Sequence, residues 1–150
     1  MVSAFTPSDI YFMNEAYKQA LLALAEEEIP VGAVVVCGNQ IVARAYNQTE
    51  KLHDVTAHAE MLAITSAANY LHGKYLNACT LYVTLEPCLM CAGALAWAQI
   101  GRLVYGASDM KRGYSLMPHL VLHPKTKVLR GIMAEENELL LSEFFRKLRN

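Results

Sequence analysis

The run CTLYVTLEPCLMC (79–91) constrains the fold of this 150-residue chain more than any other stretch. Its first seven residues are good β-formers and almost continuously apolar. The strand they predict is buried on both faces, so it must lie inside a sheet that is covered on both sides. Pro87 and a second apolar segment follow at once, and residues 88–100 read as a helix. A buried strand running straight into a helix calls for a layered architecture.

The rest of the chain supplies the layers. Ile10, Met13, Tyr17, Ala20, Leu21 and Leu24 recur at helical spacing and predict a helix over 8–28, stopped by Pro30. VGAVVV (31–36) and IVARAYN (41–47) read as a hairpin with Gly38-Asn39 in its turn. Residues 56–71 read as a helix with Thr56 as N-cap, 102–107 as a strand, and 134–150 as a closing helix. Residues 108–128 are broken by Gly113, Pro118 and Pro124, and are expected to form a loop with one turn of helix. No internal repeat, low-complexity segment or linker interrupts the pattern, so one domain over 1–150 is expected. The order α-β-β-α-β-α-β-loop-α implies a mixed sheet between helices, an α/β protein of the three-layer α/β/α sandwich type.

Hydrophobic residues make up 54% and charged residues 18% of the chain, a balance that excludes disorder. No apolar run approaches the roughly 18 residues of a spanning helix. The start, MVSAFTPSDI, lacks the basic-then-apolar pattern of a signal peptide. A cytoplasmic protein with no membrane partner is the expectation, and there a close cysteine pair more often binds metal or does catalysis than forms a disulfide. The net charge of −1 conceals an asymmetry: residues 1–101 hold four Lys/Arg against nine Asp/Glu, and residues 102–150 hold nine against five. That favours a polyanionic partner contacted through the C-terminal third.

Cys37 and Cys79 fall inside strands without paired spacing and read as core residues. Cys88 and Cys91 are different, because positions i and i+3 share a helical face and lie in a first turn, where the dipole favours thiolates. Pro87 suits that first turn, since the N–H it lacks would be unpaired there. Such a pair can be buried thiols, a disulfide, a redox couple or half of a metal site. His58, in AHAE (57–60), begins another helix and offers a third ligand. Glu60 does not share the His58 face; it can reach the same cavity only from the side, which suits a proton shuttle. One His and two Cys leave a tetrahedral zinc with an open position, the mark of a catalytic site where water is acidified toward pKa ~7. A carboxylate beside it can pass the water proton to a leaving amine. The combination is built for hydrolytic deamination.

His58-Ala59-Glu60 and Pro87-Cys88-Leu89-Met90-Cys91 match the H-x-E … P-C-x-x-C signature of the zinc nucleobase deaminases. IPVGAVVV, HDVTAHAEM, NACTLYVTLEPCLMCAGAL, RLVYGASD and LSEFFRKLRN extend the likeness, so that roughly residues 8–112 and 129–149 resemble the bacterial tRNA-specific adenosine deaminases. The resemblance implies a cytidine deaminase-like fold with a mixed five-stranded sheet. It implies one zinc per subunit on His58, Cys88 and Cys91, Glu60 as the catalytic residue, and a homodimer. The reaction would convert the wobble adenosine of a tRNA anticodon stem-loop, that of arginine tRNA, to inosine. By the same likeness Asn47 would hydrogen-bond the flipped base, Pro30 and Val31 would wall its pocket, and Asp109 would touch the neighbouring nucleotide. Phe144, Phe145, Arg146 and Arg149 would lie on the helix that receives the anticodon loop, where aromatic rings and cations suit splayed RNA. Two departures stand out: the segment KRGYSLMPHLVLHPKTK (111–127) differs in composition from the family's usual loop, and Gln99 replaces a frequent arginine. His119 and His123 in that segment read as exposed loop residues. The alternative is a deaminase of a free nucleobase or nucleoside, such as guanine or cytosine, which needs the same zinc and glutamate but no basic C-terminal face. A non-catalytic zinc-bearing RNA-binding subunit is a third class, and the presence of Glu60 argues against it.

Overall fold

The computed structural model describes residues 5–149. Its first helix, α1 (Pro7–Ala25), is started by side chains. Thr6 accepts from the Asp9 N–H at 3.1 Å while Asp9 accepts from the Thr6 N–H at 3.2 Å, a reciprocal cap for two donors the helix cannot satisfy itself. The helix ends at Ala25, before the expected residue 28, because Glu27 turns into a positive φ of 61°. The chain then enters β1 (Gly32–Cys37) and β2 (Gln40–Tyr46), joined by Gly38 and Asn39 with φ of 55° and 65°, the signature of a tight hairpin turn.

Next come α2 (Ala59–Leu71), β3 (Cys79–Leu85), α3 (Leu89–Ala98) and β4 (Arg102–Ala107). A single 3-10 turn at Tyr114–Leu116, β5 (Lys127–Arg130) and α4 (Ala134–Arg149) complete the described chain. The expected terminus of the last helix, Asn150, lies outside the described residues. The strands form one mixed sheet in the order β2-β1-β3-β4-β5, antiparallel up to β3 and parallel from β3 to β5. β5 is the strand that periodicity did not resolve: its four residues, KVLR, lie at the sheet edge and are mostly exposed.

Alternation along the central strands builds the layers. Ala33, Val35, Leu81, Val83, Leu103 and Tyr105 face α2 and α3, while Val34, Val36, Tyr82 and Val104 face Phe12, Met13 and Ala16 of α1. The expectation from CTLYVTL is met, with both faces of β3 buried. Helix α1 sits directly on the β1 backbone, for a Cβ at Gly32 would come within 2.1 Å of the Ala16 carbonyl.

Three local expectations change. Thr56 does not cap α2; its hydroxyl and N–H both donate to the Asp54 carboxylate in the preceding turn, and His58 takes the N-cap position. Pro87 precedes the cap of α3 rather than occupying its first turn, because Cys88 itself is the N-cap. Cys37 and Cys79 are joined as a disulfide, not left as separate core thiols. The two are direct cross-strand partners in β1 and β3 with Cα atoms 4.6 Å apart, inside the range a disulfide spans.

One half-buried ion pair ties the first helix to the sheet. Arg102 on β4 donates through both guanidinium ends to Asp9, at 2.7 and 2.9 Å, and the Tyr82 hydroxyl of β3 donates to Asp9 at 2.7 Å. Arg102 above all holds the Asp9 carboxyl well below its ordinary value of 3.8, against the opposing effect of burial. The folded chain therefore binds that proton less readily than the unfolded one. The stabilisation is complete above the ordinary carboxylate range and is lost as pH falls below ~4. Asp9→Asn should cost about 2 kcal/mol at neutral pH, less than a fully buried pair because Arg102 is partly exposed. Urea unfolding at pH 7 and pH 3 checks this: the wild type should lose more stability across the interval than the variant, and equal losses would remove Asp9 from the role.

Candidate active site

Two helices begin at the same point in space. His58 caps α2 and Cys88 caps α3, both with extended backbone, φ −71° in each case, and each carbonyl accepts the first bond of its helix. Cys91 follows within the first turn of α3 and is fully buried. The His58 Nδ1 atom lies 3.7 Å from Cys88 Sγ and 3.5 Å from Cys91 Sγ, and all three ligand atoms lie within 4.8 Å of one another. A tetrahedral ion with zinc-like bond lengths sets N···S edges of about 3.6 Å. The three donors are therefore spaced for such an ion, with a fourth position left free.

Charge supports the same reading. Hydrogen bonding with Cys91 draws the Cys88 thiol down to about 4, and the same contact, with burial, pushes the Cys91 thiol up. Two thiolates in contact cannot both persist without a cation between them. His58 is raised by its contact with Cys88. Beside this cluster Glu60, in the first turn of α2, is 4% exposed, and burial pushes its carboxyl up to about 7. A carboxyl poised there can both take and give a proton near neutrality.

The cluster opens into a cavity of about 950 Å³. His58, Glu60 and Cys88 line it, as do Val31, Asn47, Asp109, Phe145 and Arg149. Pro30 and Arg146 are not among its lining residues. Asn47 is buried, its amide nitrogen donates to the Ile29 carbonyl at 3.4 Å, and its Oδ1 has no partner among the described residues. An orphaned buried acceptor on a residue that lines a cavity is an invitation to a ligand donor. Asp109 accepts the Lys111 and Arg112 N–H groups at 3.0 Å each, so part of its capacity builds its own loop. On α4 the cavity-lining residues Glu138, Leu141, Ser142, Phe145 and Arg149 follow helical spacing. Phe144 is buried at 8% exposure and docks the helix, whereas Phe145 is 40% exposed. His119 is exposed and His123 half-buried, with its Nδ1 accepting the Lys125 N–H at 3.1 Å.

Two structural carboxylates escaped the sequence reading. Glu28 is 1% exposed and accepts the Glu50 and Lys51 N–H groups at 3.1 and 2.8 Å, anchoring the loop between Asn47 and His58. Glu86 does the same for the loop after β4. Among the described residues neither forms an ion pair, and a carboxylate answered by backbone leaves no signature among side chains.

Comparison with known proteins is consistent with this geometry. Residues 6–107 match the model of the cytidine and deoxycytidylate deaminase zinc-binding region. The tRNA-specific adenosine deaminase of Aquifex aeolicus is 43% identical over 145 residues, spanning 93% of this chain and 95% of that protein. A solved structure from a study of A-to-I editing by tRNA:A34 deaminases at the wobble position superposes with a TM-score of 0.81 at 40% identity, covering 87% of this chain and 99% of that one. A guanine deaminase from Bacillus subtilis gives a TM-score of 0.63 at 37% identity, over 65% of this chain and 63% of that one. If the three donors act as a set, Cys88→Ala and Cys91→Ala should each lose bound zinc in elemental analysis. A full metal complement in both variants would sink the ligand assignment.

Proposed function

This chain belongs to the cytidine and deoxycytidylate deaminase zinc-binding family and, within it, to the tRNA-specific adenosine deaminases; from that premise we propose that it binds a tRNA anticodon stem-loop and deaminates the wobble adenosine to inosine. The observation that carries the reading is Glu60, buried beside the His58, Cys88 and Cys91 donors, at a cavity also lined by the cations Lys111, Arg112 and Arg149. Zinc, one per chain, fits that donor set and supplies the Lewis acidity that makes water nucleophilic at neutral pH.

The protein's own groups supply the rest. Glu60 takes a proton from the attacking water and delivers it to the purine ring nitrogen beside the amine-bearing carbon. Once the carbon–oxygen bond has formed, Glu60 takes the remaining proton of the new hydroxyl and gives it to the amine as the carbon–nitrogen bond breaks, and the products are inosine and ammonia. Asn47 Oδ1 receives a donor of the flipped nucleotide, and Val31 walls the base. Phe145 offers a ring for stacking, and Lys111, Arg112 and Arg149 meet phosphates. A single-stranded loop costs least to unstack, which favours an anticodon over a duplex.

Arginine tRNA is the substrate we assign, in the cytoplasm. A homodimer is supported by apolar groups left in water: Trp97 is 85% exposed, and Leu89, Met90, Val55 and Tyr70 are exposed as well. Leu89, Met90 and Trp97 share the short helix α3, and exposed apolar groups gathered on one element suit a partner surface. The rival, salvage of a free base such as guanine or cytosine, shares the catalytic centre and has no use for the cationic lining.

An arginine-tRNA anticodon stem-loop, assayed beside free adenosine, cytosine and guanine, separates the two. Inosine at the wobble position with the free bases untouched is expected; turnover of a free base alone would replace this reading with salvage. Glu60→Ala should keep zinc and RNA affinity while turnover falls by about 10²–10⁴-fold or more. Persisting turnover would remove Glu60 from proton transfer.

A further inference from the structure

Glu86 is a buried charge that no cation answers. It is 3% exposed and forms no ion pair among the described residues. Its two oxygens are divided between backbone donors of the following loop, Oε1 accepting Asp109 N–H at 3.0 Å and Oε2 accepting Ser115 N–H at 2.9 Å. Gly113 lies flat against the carboxylate, where a Cβ would come within 2.4 Å of Glu86 Cδ. The neighbouring residues tighten the same seam: Tyr114 N–H donates to the Pro87 carbonyl at 3.0 Å, and Cys88 pairs with Gly113 in an isolated bridge.

The loop sewn down in this way is part of the cavity wall. Ser108 to Arg112 all line the cavity, and Asp109 closes the turn by accepting the Lys111 and Arg112 N–H groups. One short segment, 86–91, therefore carries two metal-spaced thiols and the anchor of the wall that faces the substrate. A charged acceptor with two N–H donors makes a stronger clamp than a neutral one, and burial of the Glu86 carboxylate limits the water that would compete for it.

We propose that Glu86 is a positioning residue for polymeric substrate: by clamping residues 109–115 to the Cys88 segment, it sets where Lys111 and Arg112 meet the RNA backbone relative to the reacting base. This rests on the tRNA-deaminase reading above. Glu86 lines the cavity, but both of its oxygens are engaged by the Asp109 and Ser115 N–H groups, so its loss acts on RNA engagement through the loop and leaves the chemical step alone. Glu86→Gln keeps the shape but turns an NH₂ group toward a backbone donor, so one of the two bonds fails.

The test compares the wild type, Glu86→Gln, Lys111→Gln/Arg112→Gln and the combined variant on an anticodon stem-loop. Glu86→Gln should raise KM about tenfold, the effect of one lost charge-assisted bond, with kcat within about twofold and zinc content unchanged. The salt dependence of KM should become shallower, since fewer phosphates are neutralised. Once Lys111 and Arg112 are gone, Glu86→Gln should cost nothing more, because it acts through them. An unchanged KM, a fall in kcat with loss of zinc, or additive effects would each overturn the proposal. Stem-loop affinity by fluorescence anisotropy reads the same comparison without turnover, so an inactive wild type would defeat the functional reading while leaving this one open to decision. Should Glu86→Gln not fold, amide exchange in the wild type decides: the Asp109 and Ser115 N–H groups should be strongly protected, and exchange at open-loop rates would overturn the clamp.

Discussion

At its working end this fold buries negative charge and answers it with backbone N–H groups. Glu28 is met by Glu50 and Lys51, Glu86 by Asp109 and Ser115, and Asp109 in turn by Lys111 and Arg112, all through main-chain donors. Cys88 and Glu60 sit in helix starts, where unpaired N–H groups and the dipole favour anions. Donors that turns and helix ends would otherwise leave unsatisfied thus become the solvent for the acidic residues. The arrangement has a chemical benefit. Among the described residues no ammonium or guanidinium pairs with the thiols, whose side-chain neighbour is His58, so they remain available to a metal. The half-buried guanidinium pair, Arg102 with Asp9, lies on the α1 face of the sheet instead.

Sheet topology explains why so many elements meet there. β1 runs antiparallel to both neighbours, with Gly32 opposite Tyr46 and Ala33 opposite Val83. The start of β1 therefore shares one edge with the ends of β2 and β3, and parallel pairing adds the end of β4. Val31, Asn47, Leu85 and Ala107 arrive at one rim, and α2 and α3 begin beside it. Ligands in open α/β sheets favour the crevice outside the carboxyl ends of strands, and the cavity here lies at that rim.

Much of this was legible in advance because it depends on local periodicity. The run CTLYVTL announced a strand buried on both faces, Gly38-Asn39 announced its turn, and HAE with PCxxC announced donors at two helix starts. What stayed hidden depends on who meets whom. Thr56 looked like a cap, yet Asp54 two residues earlier claims its hydroxyl, and His58 takes the position. The Cys37–Cys79 bond joins residues 42 apart that only strand register brings opposite each other. β5 is short, polar and at an edge, so alternation had nothing to report. Glu28 and Glu86 gave no signal because their partners are main-chain atoms, which every sequence contains everywhere.

The last helix shows how finely a surface can be indexed. Phe144 and Phe145 are adjacent, with ring centroids 5.3 Å apart and planes near perpendicular, one ring in the core and the other toward the cavity. Each residue added to a helix rotates it by about 100°, so the two rings mark the dry and wet sides of α4 like the ward and bit of a key. A single insertion or deletion within α4 between Leu140 and Phe144 would turn everything after it by that angle, so that the core could keep Phe144 only by giving up Leu140, and Arg149 would leave the cavity. The count of residues along α4 thus ties what the core grips to what the cavity sees.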